Sequence, residues 1–399
     1  MNSISNPYSA AAGMPPPVLA GRERLRERVR VGIARLRVGR SAKSVLMVGE
    51  HGVGKSVLLQ QMCIDAEVDG VYTLYIADPV RRSLPDLLAP QLRLMLMRIC
   101  QIEAAKDIAE LALSALTDLV SAPEIRFSDL MEDLDFKTEV TGLTDQADLQ
   151  GGFTTLLEIV GMAAKLANSA LVLYIDELHC IEEMLLSSLI VILHRCAQSR
   201  LPVMLIGAGL PQLRARAGSA KSYAERLFDY PQIGRLSQLE AALAIVQPAN
   251  AQGVVIEAEA VELIVEKTKG YPYFLQEVAS HAWAVASTSP ITVADMEKAL
   301  SEAIVSLDER FFRGRFDRLT SMEKKYLRAM ADLEPRPHCS SIIAERQGRR
   351  VQIVASIRDS LIAKGMIWCP RHGETAFTMP FFDEFLKRIM PCDDGSLIR

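Results

Sequence analysis

Four short apolar runs punctuate the first half of the chain, separated by stretches of helical period. Ser44–Val48 (SVLMV), Val71–Ile76 (VYTLYI), Leu171–Ile175 (LVLYI) and Leu201–Ile206 (LPVMLI) are apolar throughout, with little alternation, the pattern of strands buried on both faces. The chain from Val57, most of residues 83–135, Phe153–Ala167 and Glu182–Gln198 read as helices, and 136–152 as a polar, glycine-containing loop or hairpin. Strands alternating with helices predict an α/β fold: a parallel sheet with helices on both faces. Ahead of it, Arg22–Arg40 places Leu25, Val29, Ile33 and Leu36 on one face and its arginines on the other. That arginine face is either a solvated surface or a phosphate or nucleotide-edge contact. Leu84–Ile99, rich in Leu and Met, reads as core packing, with a membrane-surface or partner helix as the alternative. Beyond residue 230 strands give way to helices at 237–248, 257–268, 272–287 and 293–306. From Leu319 the pattern changes again, to helices at 320–333, 339–346 and 350–364 and two short strands, Met366–Cys369 and Ala376–Met379, joined by PRHGE.

With 399 residues there is room for two or three domains. A 49% hydrophobic share against 24% charged is globular and argues against a disordered or fibrous chain. The net charge of −4 excludes a global basic field. Seven cysteines, scattered and without a CxxC pair, argue against a disulfide framework and for a reducing cytoplasm. The opening MNSISNPYSAAAGMPPPVLAG lacks early basic residues and carries three consecutive prolines, so it reads as a flexible leader rather than a signal peptide. The longest uncharged runs, Ala241–Ile256 and Val278–Ala294, fall short of the ~20 residues of a spanning helix, which predicts a soluble protein with no membrane partner.

The strongest chemical signal is Gly49-Glu50-His51-Gly52-Val53-Gly54-Lys55-Ser56, a complete GxxxxGK[ST] placed between an apolar strand and a helix. Glycines let successive N–H groups turn inward as an anion nest at a helix N-terminus. Lys55 can reach the β- and γ-phosphates and the Ser56 hydroxyl can ligate Mg²⁺. His51 reads as a variable position facing solvent or nucleotide. The second half of the site is the apolar run ending in Asp176-Glu177, at the sheet edge where open α/β folds bind ligands. Asp176 would hold Mg²⁺, through water or through Ser56, and Glu177 would polarise the attacking water. His179, Cys180, His194 and Cys196 resemble metal ligands on paper, but a helix between the two pairs keeps them from sharing an ion. Cys63 and Cys196 read as packing residues.

The combination resembles AAA+ ATPases of the initiator-like branch, the origin-recognition and archaeal initiator ATPases and their bacterial relatives, with the STAND signalling ATPases as neighbours. Gly21-Arg22-Glu23 resembles the box that precedes the phosphate loop and borders the adenine. Leu205–Gln212 follows the fourth core strand, where sensor 1 belongs, and Lys221–Phe228 lies at the arginine-finger box. Gly270-Tyr271-Pro272 opens a segment resembling the GxP motif of a lid helix. Ser356–Ile367 and Thr375–Phe385 look like the winged helix of bacterial ATP-binding proteins of this type. The resemblance covers residues 18–390 and implies a leader (1–17), an α/β nucleotide-binding core (18–235), a helical lid (236–306), a winged-helix domain (307–390) and a tail (391–399). It further implies ATP or ADP on Gly49–Val57, Gly21, Arg22 and Pro272, and Mg²⁺ on Ser56 and Asp176. Hydrolysis would use Lys55, Glu177 and an arginine supplied in trans, Arg226. The alternative for Arg226 is a helix-surface arginine paired with Glu225 or Asp229; Arg214, Arg216 and Arg235 are other finger candidates. Two departures point to slow turnover. The sensor 1 turn reads Gly207-Ala208-Gly209, leaving Gln212 or backbone to act there, and the lid helix after Gly270 carries no arginine at the sensor 2 place.

Residues 305–399 hold 17 Lys+Arg against 13 Asp+Glu, a surplus of +4 on a chain otherwise at −8. In a winged helix the third helix enters the major groove, so Arg346, Arg349, Arg350 and Gln352, with Arg371 and His372 in the wing, are candidate contacts to double-stranded DNA. The resulting expectation is a Mg-dependent DNA-associated ATPase whose nucleotide state controls oligomerisation or DNA binding. The alternative is a STAND-like switch or a partner-loading ATPase whose winged helix binds protein. A homo-oligomer or a heteromeric protein partner accompanies either.

Overall fold

The computed structural model describes residues 1–8, 14–77, 84–121, 145–333, 337–371 and 373–391. Helix α1 (Glu23–Arg37) buries Leu25, Val29 and Ile33, the apolar stripe of the arginine-rich segment. It leads into β1 (Ser44–Val48), α2 (Lys55–Val68), β2 (Tyr72–Ile76), α3 (Leu84–Ile99), α4 (Lys106–Ser121), α5 (Asp145–Leu166), β3 (Leu171–Ile175), α6 (Glu183–Gln198), β4 (Val203–Gly209), α7 (Leu213–Ala220), α8 (Ala224–Leu227) and β5 (Phe228–Asp229). The five strands form one parallel sheet in the order β2-β3-β4-β1-β5. Every residue of β1, β3 and β4 is buried, which explains why these strands read as unbroken apolar runs.

The pleat divides each strand between two cores. Leu46, Leu74, Leu171, Leu173 and Leu205 pack against α3, α4, α5 and α6, while Val45, Met47, Val172, Tyr174 and Ile206 face α1 and α2. A one-residue slip would exchange the two sets, so the register is strongly specified. The second core continues past the sheet through Tyr271 and Phe274 to Phe312, Phe382 and Phe385, joining the sheet to the C-terminal third by packed side chains.

Helices α9 (Gln238–Ala251), α10 (Ala258–Thr268), α11 (Pro272–Val285) and α12 (Val293–Leu307) form the lid around the buried Trp283. Capping boxes start α9 at Ser237/Glu240 and α12 at Thr292/Asp295. A turn of π-helix (Asp308–Phe312) and α13 (Arg313–Phe316) lead to α14 (Ser321–Ala331), β6 (His338–Cys339), α15 (Ser340–Arg346), α16 (Val351–Ala363), β7 (Ile367–Trp368), β8 (Glu374–Phe377) and α17 (Phe382–Ile389). The last three strands pair antiparallel in the order β6-β8-β7. No described helix is long and apolar enough to cross a membrane.

Several elements differ from their sequence-based expectation. Residues 145–152 lie in α5, not in a loop, despite Gly151 and Gly152. Burial of Phe153, Leu156 and Leu157 further along outweighs the roughly 1 kcal/mol that each interior glycine costs. Residues 122–144, covering the end of the predicted 83–135 helix and most of that loop, lie outside the described residues. Strand β4 runs on to Gly209: a Cβ on Gly207 would sit 2.7 Å from Leu178 and 2.9 Å from Leu46, so these glycines serve packing, not a turn. The two-residue β5 and β6 are too short to register, whereas α17 went unassigned although Phe382, Phe385 and Leu386 share one buried face. Residues 1–8, read as leader, lie along the lid instead. The Tyr8 hydroxyl donates to the Ile245 carbonyl (2.7 Å), the Asn6 amide to Ser280, and the Trp283 indole N–H to the Asn2 carbonyl (3.0 Å). One buried aromatic and two asparagines hold this segment, a signal too sparse for periodicity to detect.

Candidate functional site

The loop between β1 and α2 is shaped by its glycines. Gly52 and Gly54 have φ of +78° and +86°, where a side chain is strained. At Gly49 a Cβ would lie 2.1 Å from the Ile233 carbonyl oxygen, so no larger residue fits. Val53 is buried and anchors the loop to the second core. At the start of α2, Lys55 is buried, and its Nζ donates to the carbonyls of Gly49 (3.0 Å) and Glu50 (2.7 Å). Burial pushes its pKa down, while Glu177, Asp176 and Glu50 favour the charged form.

Across the loop, β3 delivers Asp176 to its C-terminal edge, buried, with Oδ1 accepting from the Glu177 N–H (2.8 Å). Glu177 follows with φ +45°, an unusual backbone state for a non-glycine residue, and its Oε2 lies 3.3 Å from His179 Nδ1. Burial, then Lys55 and Arg216, depress the His179 pKa to about 4, so the ring is neutral near pH 7. Burial, then Arg315, Lys55 and His179, likewise lower His51 to about 3.

A cavity of about 350 Å³ opens above this loop. His51 to Val57 and Glu177 form its floor; Arg22, Pro272 and Tyr273 are among its walls. Gly21 (φ +72°) turns the chain so that Arg22 reaches the cavity, where Nη2 donates to the Gly234 carbonyl (2.6 Å). Pro272 begins α11, where a missing N–H costs nothing. Gly49, Glu50, Gly21 and Asp176 support this cavity without lining it.

The loop is also clasped from outside the α/β core. The Tyr271 hydroxyl donates to Glu50 Oε2 (2.6 Å), the Tyr273 N–H to the Gly52 carbonyl (3.1 Å) and the His51 N–H to the Thr378 carbonyl (3.0 Å). Arg310, Phe311 and Arg315, from the segment after the lid, line the cavity as well. Neither contact set was anticipated from sequence. Pro272 marked the lid's approach, but nothing in the pattern of 308–316 or 374–379 points toward the phosphate loop.

The arginines behind β4 divide. Arg216 donates to the carbonyls of His179 and Ile181, holding the chain that follows Glu177. Arg214 lies over the Tyr230 ring and Arg235 over the Tyr271 ring. Arg226 is exposed on α8 and makes no ion pair among the described residues; Asp229 pairs instead with Arg28 (2.7 Å). The Gly207-Ala208-Gly209 turn lies within β4, and Gln212 starts α7 with its buried Oε1 unbonded. His194 packs against the Tyr223 ring in a tilted arrangement, and Cys196 is in the core. Those two are not gathered with His179 and Cys180, which cluster with Glu177. In the C-terminal third, Arg349, Arg350, Gln352 and Arg371 are all exposed, the first three at the start of α16. Arg346 pairs with Asp332 (3.6 Å), and His372 lies outside the described residues.

A strand–loop–helix carrying a complete phosphate-binding motif, with a second carboxylate-bearing strand beside it, defines a P-loop nucleotide-binding core. Residues 18–206 match the AAA ATPase domain family, and residues 309–386 match a domain of unknown function (DUF8462). Residues 18–206 are therefore an AAA ATPase domain. Among solved structures, a Walker-type ATPase of Pyrococcus abyssi shares 13% identity over 92% of this chain and 96% of its own, with a TM-score of 0.55. The ORC2 protein of Aeropyrum pernix shares 15% over 95% of this chain and 96% of its own, with a TM-score of 0.51. These likenesses establish a common fold. No curated protein matches the sequence.

Proposed function

We propose that the chain binds Mg-ATP in the cavity above residues 49–57, hydrolyses it slowly, and uses its nucleotide state to control oligomerisation or association with duplex DNA. The observation carrying this reading is the hydrogen bond from the His51 N–H to the Thr378 carbonyl. It ties the phosphate loop directly to the C-terminal unit, so rearrangement of the loop around phosphate is felt there.

The inward-turned loop and Lys55 would hold the phosphates, Arg22 and Pro272 would border the base, and Ser56 with Asp176 would hold Mg²⁺. A serine hydroxyl and a buried carboxylate are hard oxygen donors of the type Mg²⁺ prefers. When bound, the ion neutralises phosphate charge. Glu177 would orient the attacking water once it leaves its present position beside His179. Arg226 would act as the finger on a neighbouring subunit's nucleotide, a role its exposure on α8 supports.

We read 18–235 as the core, 236–306 as the lid and 307–390 as a winged helix built from α14, α15, α16 and the β6-β8-β7 sheet. Arg349, Arg350, Gln352 and Arg371 are then the DNA contacts, in a protein of the cytoplasm. One feature favours the second reading, a switch or loader whose winged helix binds protein. Ile342 on α15 and Val351 and Ile353 at the start of α16 are 44%, 50% and 48% exposed, apolar side chains that a protein partner would cover.

The test is binding of fluorescent duplex DNA with ATP, ADP or no nucleotide over a range of salt, with mass measured in parallel. Nucleotide-dependent binding that weakens steeply with salt, with a rise in mass, supports the DNA-associated ATPase. Nucleotide binding without DNA binding in any state moves the role to protein contact.

A further inference from the structure

The segment joining lid to C-terminal unit carries a cation with no assigned task. Arg315, on α13, is partly buried and lines the same cavity as Lys55, His51 and Glu177. Its Nη1 donates to the Phe311 carbonyl (2.9 Å), and its guanidinium lies over the Phe311 ring, 5.0 Å from the centroid. Phe311 in turn stacks on Tyr273 at 5.0 Å and 28°, and the Tyr273 N–H bonds the phosphate loop at Gly52. A chain of contacts thus fixes the guanidinium against the cavity. Among the described residues it makes no ion pair. On the same segment Arg313 pairs with Asp317 (3.2 Å) and Asp308 with Arg388 (2.6 Å).

Glu177, across the same cavity, favours the charged guanidinium without forming a salt bridge to it, so an anion that reached the guanidinium directly would offset the cost of its burial. Its planar fork suits phosphate oxygens. The sequence adds an independent observation: no arginine occurs between Arg235 and Arg310, so the whole lid lacks one. A turn of π-helix at Asp308–Phe312, a geometry often found at functional sites, brings the next arginines to the cavity.

We propose that Arg315 binds the terminal phosphate of ATP in cis, so that the segment before the C-terminal unit completes the nucleotide site and its placement differs between ATP and ADP. This rests on the reading of the cavity as the ATP site. Arg310, exposed at the rim, is not required. Because Arg315 belongs to the same chain as Lys55, its contribution is independent of protein concentration, unlike that of an arginine supplied in trans.

The experiment uses the whole chain, as wild type, Arg315→Ala and Arg315→Lys, with Lys55→Ala as a marker of the parent reading. ATP and ADP affinities are measured by titration at concentrations where the protein is monomeric. Hydrogen exchange over residues 309–316 and 375–379 is followed with each nucleotide. Arg315→Ala is expected to weaken ATP about 10- to 100-fold and ADP by less than about 3-fold, as for loss of one charge-assisted contact. Arg315→Lys should recover part of the ATP loss, and the ATP-versus-ADP exchange difference of wild type should vanish in Arg315→Ala. If Arg315→Ala and Arg315→Lys keep wild-type ATP affinity while Lys55→Ala loses it, the proposal is overturned and the ATP site stands. Equal weakening of ATP and ADP also overturns it, marking Arg315 as a support of the fold. A wild type that binds neither nucleotide overturns the ATP-site reading, and this inference with it.

Discussion

Lys55→Ala gives the most direct measure of the phosphate loop. The ammonium is buried and spends two hydrogen bonds on its own loop, at 3.0 Å to Gly49 and 2.7 Å to Glu50. An arriving phosphate offers a charged acceptor in place of neutral carbonyls. A hydrogen bond to a charged group contributes about 1.5–3 kcal/mol, which predicts ATP binding weaker by roughly 10- to 150-fold. Thermal stability amplifies this difference into a simple assay. At an ATP concentration about 100 times the wild-type Kd, binding stabilises the fold by about 2.7 kcal/mol. With Kd raised about 100-fold, the same concentration adds only about 0.4 kcal/mol. The wild-type melting temperature should therefore rise by about 3 °C with ATP and that of the variant by about 0.5 °C. Without nucleotide the substitution removes a desolvated charge and leaves two carbonyls unbonded, opposing effects that keep the melts close. Equal ATP-induced shifts in the two proteins would refute the assignment of Lys55 to the phosphates.

Glu177→Gln should retain ATP and abolish phosphate release in a single-turnover assay; a variant with full turnover removes Glu177 as the water-orienting group. Arg226→Ala should slow hydrolysis only at concentrations where the protein assembles, and equal slowing of the monomer contradicts a role in trans. Glu323 is buried at the start of α14, where burial opposes its charge but is outweighed by Lys364 (2.7 Å), the Thr320 N–H (2.7 Å) and the Ser360 hydroxyl (2.8 Å), drawing its pKa down to about 2. A pKa below the unfolded value means stability present above about pH 4.5 and lost as pH falls toward 2. Acid melts of wild type and Glu323→Gln should differ near pH 7 and converge near pH 2; curves parallel throughout contradict the assignment.

The parts legible in the sequence are those where one local rule governs. The apolar runs of β1 and β3, the glycine spacing of 49–54 and the Asp176-Glu177 pair each encode their own position, since strand, turn and sheet edge follow from adjacent residues. The lid helices were legible for the same reason, through their local pattern, while the capping boxes at Ser237 and Thr292 that start two of them went unread. What escaped depends on tertiary contact. Gly207 and Gly209 look like a turn until Leu46, Leu178 and Leu213 are seen to occupy the space beside them. Arg315 looks like one more surface arginine until the π-turn and the Phe311–Tyr273 stack bring it to the cavity. Tyr8 looks like part of a leader until Trp283 and Ile245 receive it.

The bond between His51 and Thr378 has a consequence for how the chain is made and handled. Synthesis delivers the phosphate loop early and its roof late: Tyr271 and Tyr273 come first, and Thr378 only when most of the polypeptide is out. Contacts of such wide sequence separation form slowly, so a nascent chain passes through a stage with the α/β sheet folded and the loop uncovered. A fragment cut to residues 18–235, which keeps all five strands of the sheet, would be trapped at that stage. Its nucleotide affinity would describe an open loop facing water, a different binding site from the one the whole chain builds.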